Sequence, residues 1–143
     1  MSTGVRQIAS ITNATARRLV DAAIEAAEAA GQRSAIAVVD ATGQLSAFAR
    51  MDGAALQAVQ ISQDKAYSAA SFGMPTGQWP EVMKDDTPLT AGISAIDRLV
   101  PFGGGLPIVI DGDVVGGIGV AGGHWSDDAK VAETALAALD ATA

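Results

Sequence analysis

The strongest constraint on this chain is a pattern that occurs twice: two short apolar runs joined by a tight glycine-containing turn. Residues 34–40 (SAIAVVD) and 44–50 (QLSAFAR) flank Ala41-Thr42-Gly43, and residues 106–110 (LPIVI) and 114–120 (VVGGIGV) flank Asp111-Gly112-Asp113. Runs of this length, rich in β-branched residues and separated by a few turn residues, read as β-hairpins. Hairpin strands are antiparallel, so they cannot build a doubly wound parallel sheet, whose strands need long crossovers.

Helical stretches punctuate the hairpins. In residues 13–30, Ala16, Leu19, Val20, Ala23, Ile24 and Ala27 recur at spacings of three and four, which lays one apolar stripe along a helix. Thr12 is placed to cap its start and Gly31 to end it. Residues 54–72 read as a second helix, with Leu56, Val59, Ala66, Ala69 and Ala70 inward and Gly73 as its stop. Residues 75–86 read as a loop with one helical turn from Thr76, and residues 95–99 as a short strand. Residues 127–139 form a closing helix capped by Ser126, with Asp127 and Asp128 in the turn that the helix dipole favours for acids. The order is helix, hairpin, helix, loop, short strand, hairpin, helix. It predicts one α/β domain of the α+β kind over residues 1–143, with about five antiparallel strands flanked by helices. Val38, Phe48, Ile110 and Ile118 are expected in or near the core. Pro107 suits an edge strand, and Gly116, Gly117 and Gly119 leave a thin face that another backbone or a ligand can approach.

Composition removes several function classes. The 143 residues contain no cysteine, which excludes disulfides, thiolate metal sites and a cysteine nucleophile. The formal charge of −7, with nine scattered basic residues, argues against binding a phosphate backbone. No signal-peptide pattern opens the sequence and no apolar run is long enough to cross a bilayer, so the expectation is a cytoplasmic protein with no nucleic-acid or membrane partner. Gly103-Gly104-Gly105 and the later glycine run lack the strand–GxGxxG–helix context of a dinucleotide site. The acidic residues have no histidine partners at metal-ligand spacing, so no metal site is expected.

The run VVDATGQLSAFARMDGA over residues 38–54 resembles the first hairpin of the GlcG/HbpS family. So do DKAYSAA over residues 64–70 with Phe72 and Thr76, GGGLPI over 103–108, GDVVGGIGVAGG over 112–123, and the acidic helix start at Asp127-Asp128. These motifs run in order from about residue 10 to the end. The resemblance extends to the C-terminal domain of PduO-type corrinoid adenosyltransferases, without their catalytic domain. It implies a profilin-like α/β sandwich, a homo-oligomer (often an octamer) and, in some members, haem binding.

Few side chains here carry chemistry. His124 is the only histidine, and His124-Trp125 departs from the family's usual small and polar residues at this point. At a helix start its imidazole can ligate haem iron, act as a general base, or simply pack on Trp125 in a surface loop. Met51 is a candidate axial thioether or a packing residue. Arg50 and Asp52 bracket it: Arg50 can pair with Asp52 or hold a carboxylate, and Asp52 can act in catalysis or cap the next helix. Lys65 lies among alanines, either partly buried as a base or anion anchor, or snorkelling, or paired with an Asp. Thr76 can present a hydroxyl to the same cleft, and Gly104 and Gly105 backbone N–H groups to an anion.

Three functions follow. The first is non-covalent binding of haem or a related tetrapyrrole, with Met51, Arg50, Thr76, Gly104, Gly105 and Trp125 among the binding residues. The second is a cofactor-independent isomerase or tautomerase, lyase or hydrolase on a small anionic or carbonyl-containing metabolite, with His124, Lys65 and Asp52 as catalytic residues. The third is an accessory oligomeric subunit without a ligand. The ligand cleft is expected where the 50–53 turn, the 65–76 stretch and the 122–125 loop meet.

Overall fold

A computed structural model describes residues 3–142, and side chains through residue 140. Helix α1 (Asn13–Ala29) leads into the hairpin β1 (Ala35–Asp40) and β2 (Leu45–Arg50), then α2 (Ala58–Phe72). Two short helices follow, α3 (Trp79–Met83) and α4 (Thr87–Gly92), then the hairpin β3 (Gly105–Ile110) and β4 (Asp113–Ala121), and finally α5 (Trp125–Thr142). The strands form one antiparallel sheet in the order β2-β1-β4-β3. Helix α2 covers one face, and α1 and α5 pack together on the other.

Local chemistry accounts for the turns. Thr12 accepts the Thr15 backbone N–H and starts α1. The Asp40 carboxylate accepts the backbone N–H groups of Thr42 (2.8 Å) and Gln44 (3.2 Å) and the Thr42 hydroxyl (2.6 Å), which closes the first hairpin. Burial pushes the Asp40 carboxyl up, but these donors outweigh it and hold the group below its ordinary 3.8.

The core lies mainly between the sheet and the α1–α5 layer, with Leu19, Ile36, Val38, Ile108, Ile118 and Val120 almost fully buried. On the α2 side β1 presents Ala35, Ala37 and Val39, and β4 presents only glycine backbone at Gly117 and Gly119. A Cβ on Gly119 would collide with the Ser62 carbonyl oxygen and one on Gly117 with that of Ala66. The thin face expected of β4 is therefore filled by the backbone of α2, which rests directly on the sheet.

Several expectations need correction. The sheet has four strands, not five. Residues 93–95 form a 3-10 turn, and Arg98 takes a left-handed φ of 61°, which no strand accommodates. The segment is pinned to α2 by side chains instead. Arg98 pairs with Asp64 at 3.0 Å and lies 3.8 Å from the centroid of the Tyr67 ring. The Ser68 hydroxyl donates to the Arg98 carbonyl and accepts the Val100 N–H. Helix α2 begins at Ala58 rather than residue 54, so Leu56 is 78% exposed and Asp52 caps nothing. Ile110 sits at the hairpin end and is 38% exposed, while Ile108 takes the core position. Phe48 is half-buried, and Val38 and Ile118 are fully buried. Helix α5 starts before Ser126, and His124 occupies the capping place.

Candidate functional site

Because α2 rests on the glycine ledge of β4, a long side chain on its inner face reaches past the strand end. Lys65 does so and is 1% exposed. Its Nζ donates to the Val120 carbonyl (2.8 Å) and to Asp128 Oδ2 (3.0 Å). Asp128, also 1% exposed, accepts on Oδ1 from Gln32 Nε2 (2.7 Å) and the Gly123 N–H (3.0 Å). Burial lowers the Lys65 pKa, opposed by the Asp128 charge. Burial likewise raises that of Asp128, opposed first by the Lys65 charge and then by its hydrogen bonds. Gly104 makes the geometry possible: with φ +128°, it has no Cβ, which would stand 2.5 Å from Lys65 Nζ. The Phe102 ring closes the pair from outside, its centroid 5.3 Å from Nζ.

Above this pair lies a cleft of about 350 Å³, lined chiefly by Ala55, Ala58, Ile61, Phe102, His124 and Trp125. Two large aromatic side chains stand partly in solvent here, Phe102 at 40% and Trp125 at 49%. The His124 and Trp125 rings are tilted against each other, centroids 4.9 Å apart. His124 Nδ1 accepts the Ser126 backbone N–H (3.2 Å) and lies 2.7 Å from the Ser126 hydroxyl. An Nδ1 that accepts a backbone N–H carries no proton, so this hydrogen-bond pattern assigns the ring proton to Nε2. The imidazole thus caps α5 with one nitrogen and keeps an N–H donor on the other.

The remaining candidates stand elsewhere. Thr76 is fully buried, and its hydroxyl oxygen accepts the Gly105 N–H at 2.9 Å, a clamp on the start of β3. Gly105 is itself packed against Lys65 and Thr76. Met51 points its sulfur at the Ser34 N–H, 3.3 Å away, and packs on the core. Arg50 donates to the Ala54 carbonyl through Nε (3.3 Å) and an Nη (3.1 Å) and makes no ion pair with Asp52. Arg50, Met51 and Asp52 line a separate depression of about 600 Å³ with Arg33. A third and larger one, about 880 Å³, runs from the end of α1 to the first turns of α5. It shares Gln32 and Arg33 with the second depression, and Ala55, Gly122 and Gly123 with the aromatic cleft. The 880 Å³ depression is the broader, whereas the 350 Å³ cleft brings together the imidazole, the two aromatic rings and the Lys65–Asp128 pair. Lys65, His124 and Trp125 therefore share one cleft, and Asp52 does not join them.

Asp128, Gln32, Arg33 and Phe102 were not singled out by the sequence. For Asp128 a signal existed. It precedes Ala132 by four residues and Ala135 by seven, on the buried face of α5, and an acid on an apolar face requires a partner. Phe102, beside a glycine corner, carries no periodic signal. Among the described residues no group of three or more His, Cys, Asp or Glu side chains is placed to hold a metal ion. No described helix is long and apolar enough to cross a membrane.

Comparison with known proteins places this geometry among relatives. The family model described as haem degrading protein HbpS-like matches residues 11–137. An uncharacterized 15.0 kDa protein of the dhaT–dhaS intergenic region of Citrobacter freundii is 35% identical over 132 residues, 92% of this chain and 93% of its own length. Among solved structures, a double mutant of Streptomyces reticuli HbpS is similar with a TM-score of 0.87 and 31% identity, covering 97% of this chain and 93% of that one. A PduOC–haem complex is similar with a TM-score of 0.83 and 28% identity, covering 90% and 94%.

Proposed function

We propose that this chain, which belongs to the HbpS-like family, binds haem or a related tetrapyrrole non-covalently at the cleft between α2, the Phe102 corner and the start of α5. The observation that carries the reading is the meeting of the chain's one imidazole with two part-exposed aromatic rings over a floor of small apolar residues and one internally paired Lys65–Asp128 bridge. Ligand sites are typically of this kind, apolar clefts with few placed polar groups. The similarity to a solved haem complex supports it.

The residues present fit such a group in a limited way. Phe102 and Trp125 offer flat contact, and His124 offers one nitrogen. Arg33 and Arg50, on the adjoining depressions, suit propionate carboxylates. Met51 does not supply a second ligand, since its sulfur faces Ser34. Bound haem would supply an iron whose ligand and redox chemistry the surroundings tune. Ligation at Nε2 would move the ring proton to Nδ1, where the Ser126 hydroxyl 2.7 Å away would accept it in place of the cap bond that Nδ1 receives from the Ser126 backbone N–H. Haemin titration tests the reading: a saturable Soret shift at one haem per chain, weakened in His124→Ala and unchanged in Met51→Ala, is expected. Non-saturating spectra, or a full shift in His124→Ala, would refute it.

The same reading includes a homo-oligomer with a profilin-like sandwich in each subunit, working in the cytoplasm. The exposed apolar residues Leu56 (78%) and Phe72 (56%) support self-association. A monomer mass by light scattering would refute it. A second reading, acid–base chemistry without a cofactor, draws support from Lys65 and His124 lining one cleft. Turnover that survives removal of all haem would favour it.

A further inference from the structure

The aromatic cleft has a property that haem does not explain. The charges at its floor cancel, because Lys65 and Asp128 are paired at 3.0 Å and both are buried. Neither is free to meet a ligand charge, and the chain as a whole carries −7, which repels anions. The polar atom that His124 keeps for a ligand is a donor, the Nε2–H, since Nδ1 is committed to the start of α5. The walls beside it are aromatic. The Trp125 ring lies over Gly103, where an added Cβ would stand 3.1 Å from it, next to Phe102. A volume of about 350 Å³ lies at the small end of the range for ligand sites.

We infer that this cleft is a site for a small, flat, uncharged aromatic or heteroaromatic compound bearing a carbonyl, whose ring lies against Trp125 and Phe102 and whose oxygen accepts the His124 Nε2–H. The inference goes beyond the haem reading and does not depend on it. Flat rings stack on aromatic faces, and the exposed His124 N–H beside them is open to a ligand that supplies an acceptor. A carboxylate would gain the same hydrogen bond but would meet the field of an acidic chain with no uncommitted cation at the cleft.

The test follows the Trp125 indole N–H resonance by NMR in the haem-free protein, assigned with Trp125→Phe. Benzamide and nicotinamide are the probes, with benzoate and cyclohexanecarboxamide as comparisons. Saturable shifts with half-saturation near about 1 mM are expected for both probes, as suits ligands of this size. Benzoate and cyclohexanecarboxamide should each bind roughly tenfold more weakly, the first for its charge and the second for its missing ring. His124→Asn keeps a good capping side chain while removing the ring donor, and should weaken benzamide roughly tenfold without moving the melting temperature. Unsaturable shifts, equal binding of cyclohexanecarboxamide, tighter binding of benzoate, or unchanged affinity in His124→Asn would each overturn the inference. Haemin titration of the same samples reads the haem reading separately, so either can fail while the other stands.

Discussion

Replacing Lys65 by methionine keeps an unbranched side chain only one heavy atom shorter and deletes its charge. The consequence follows from the surroundings. Lys65 and Asp128 have side chains only 2% exposed each, with Nζ and Oδ2 3.0 Å apart. In Lys65→Met the Asp128 carboxylate keeps its bonds from Gln32 and Gly123 but loses its counter-charge. Breaking a buried ion pair from one side costs about 3–5 kcal/mol. For a domain of this size that is roughly 10–20 °C in melting temperature. Asp128→Asn should be destabilising too, although the amide oxygen can still receive Gln32 and Gly123. The double variant Lys65→Met/Asp128→Asn removes both charges, and its stability should return to within about 2 kcal/mol of the parent. The assay is urea unfolding of all four proteins at one protein concentration, because self-association would shift the midpoints. Single-variant losses that add within about 0.5 kcal/mol in the double variant would refute the coupling. A Lys65→Met variant as stable as the parent would show that the burial argument itself is wrong.

Two further perturbations probe the frame around the site. Gly119→Ala drives a methyl into the Ser62 carbonyl and should cost about 3 kcal/mol, whereas Gly92→Ala, whose methyl meets nothing within 4 Å, should stay within about 0.5 kcal/mol; equal urea midpoints would refute the tight seat of α2. Asp40→Asn weakens the first hairpin turn by about 1 kcal/mol at neutral pH. The folded-state pKa of Asp40 is depressed, so its stabilisation is full above the unfolded value of 3.8 and lost as pH falls through the folded value. The gap between parent and Asp40→Asn should therefore close in acid, and a constant gap across that titration would count against the assignment.

What the sequence made legible was whatever is written locally. The two hairpins, the capping of α1 by Thr12 and the stripe of α1 are short-range patterns, and the structure keeps them. The mistaken fifth strand, residues 95–99, is a short mixed segment whose backbone is decided by distant partners. Arg98 is held by Asp64 and Tyr67, more than thirty positions earlier, and no local propensity registers that. The site divides in the same way. Lys65 among alanines and the single His124 stand out by composition alone. Which acid meets Lys65 is settled by the turn of α5 that points Asp128 inward and leaves its neighbour Asp127 in solvent. Ser126 looked like the better cap by residue type, yet the chain enters α5 two residues earlier and gives that place to an imidazole.

Pro107 sits in β3, an outer strand of the sheet, opposite Gly117. An outer strand offers a row of free backbone donors and acceptors to any other strand that drifts past. A proline breaks that row, since it has no N–H to give and its ring fills the space where a new strand would lie. Growth of the sheet from chain to chain is therefore blocked along that margin, however apolar Val109 and Ile110 beside it are. Copies of this protein that meet at this margin must do so through side-chain surfaces rather than by pairing strands, which leaves β2 as the sheet's one margin without a proline.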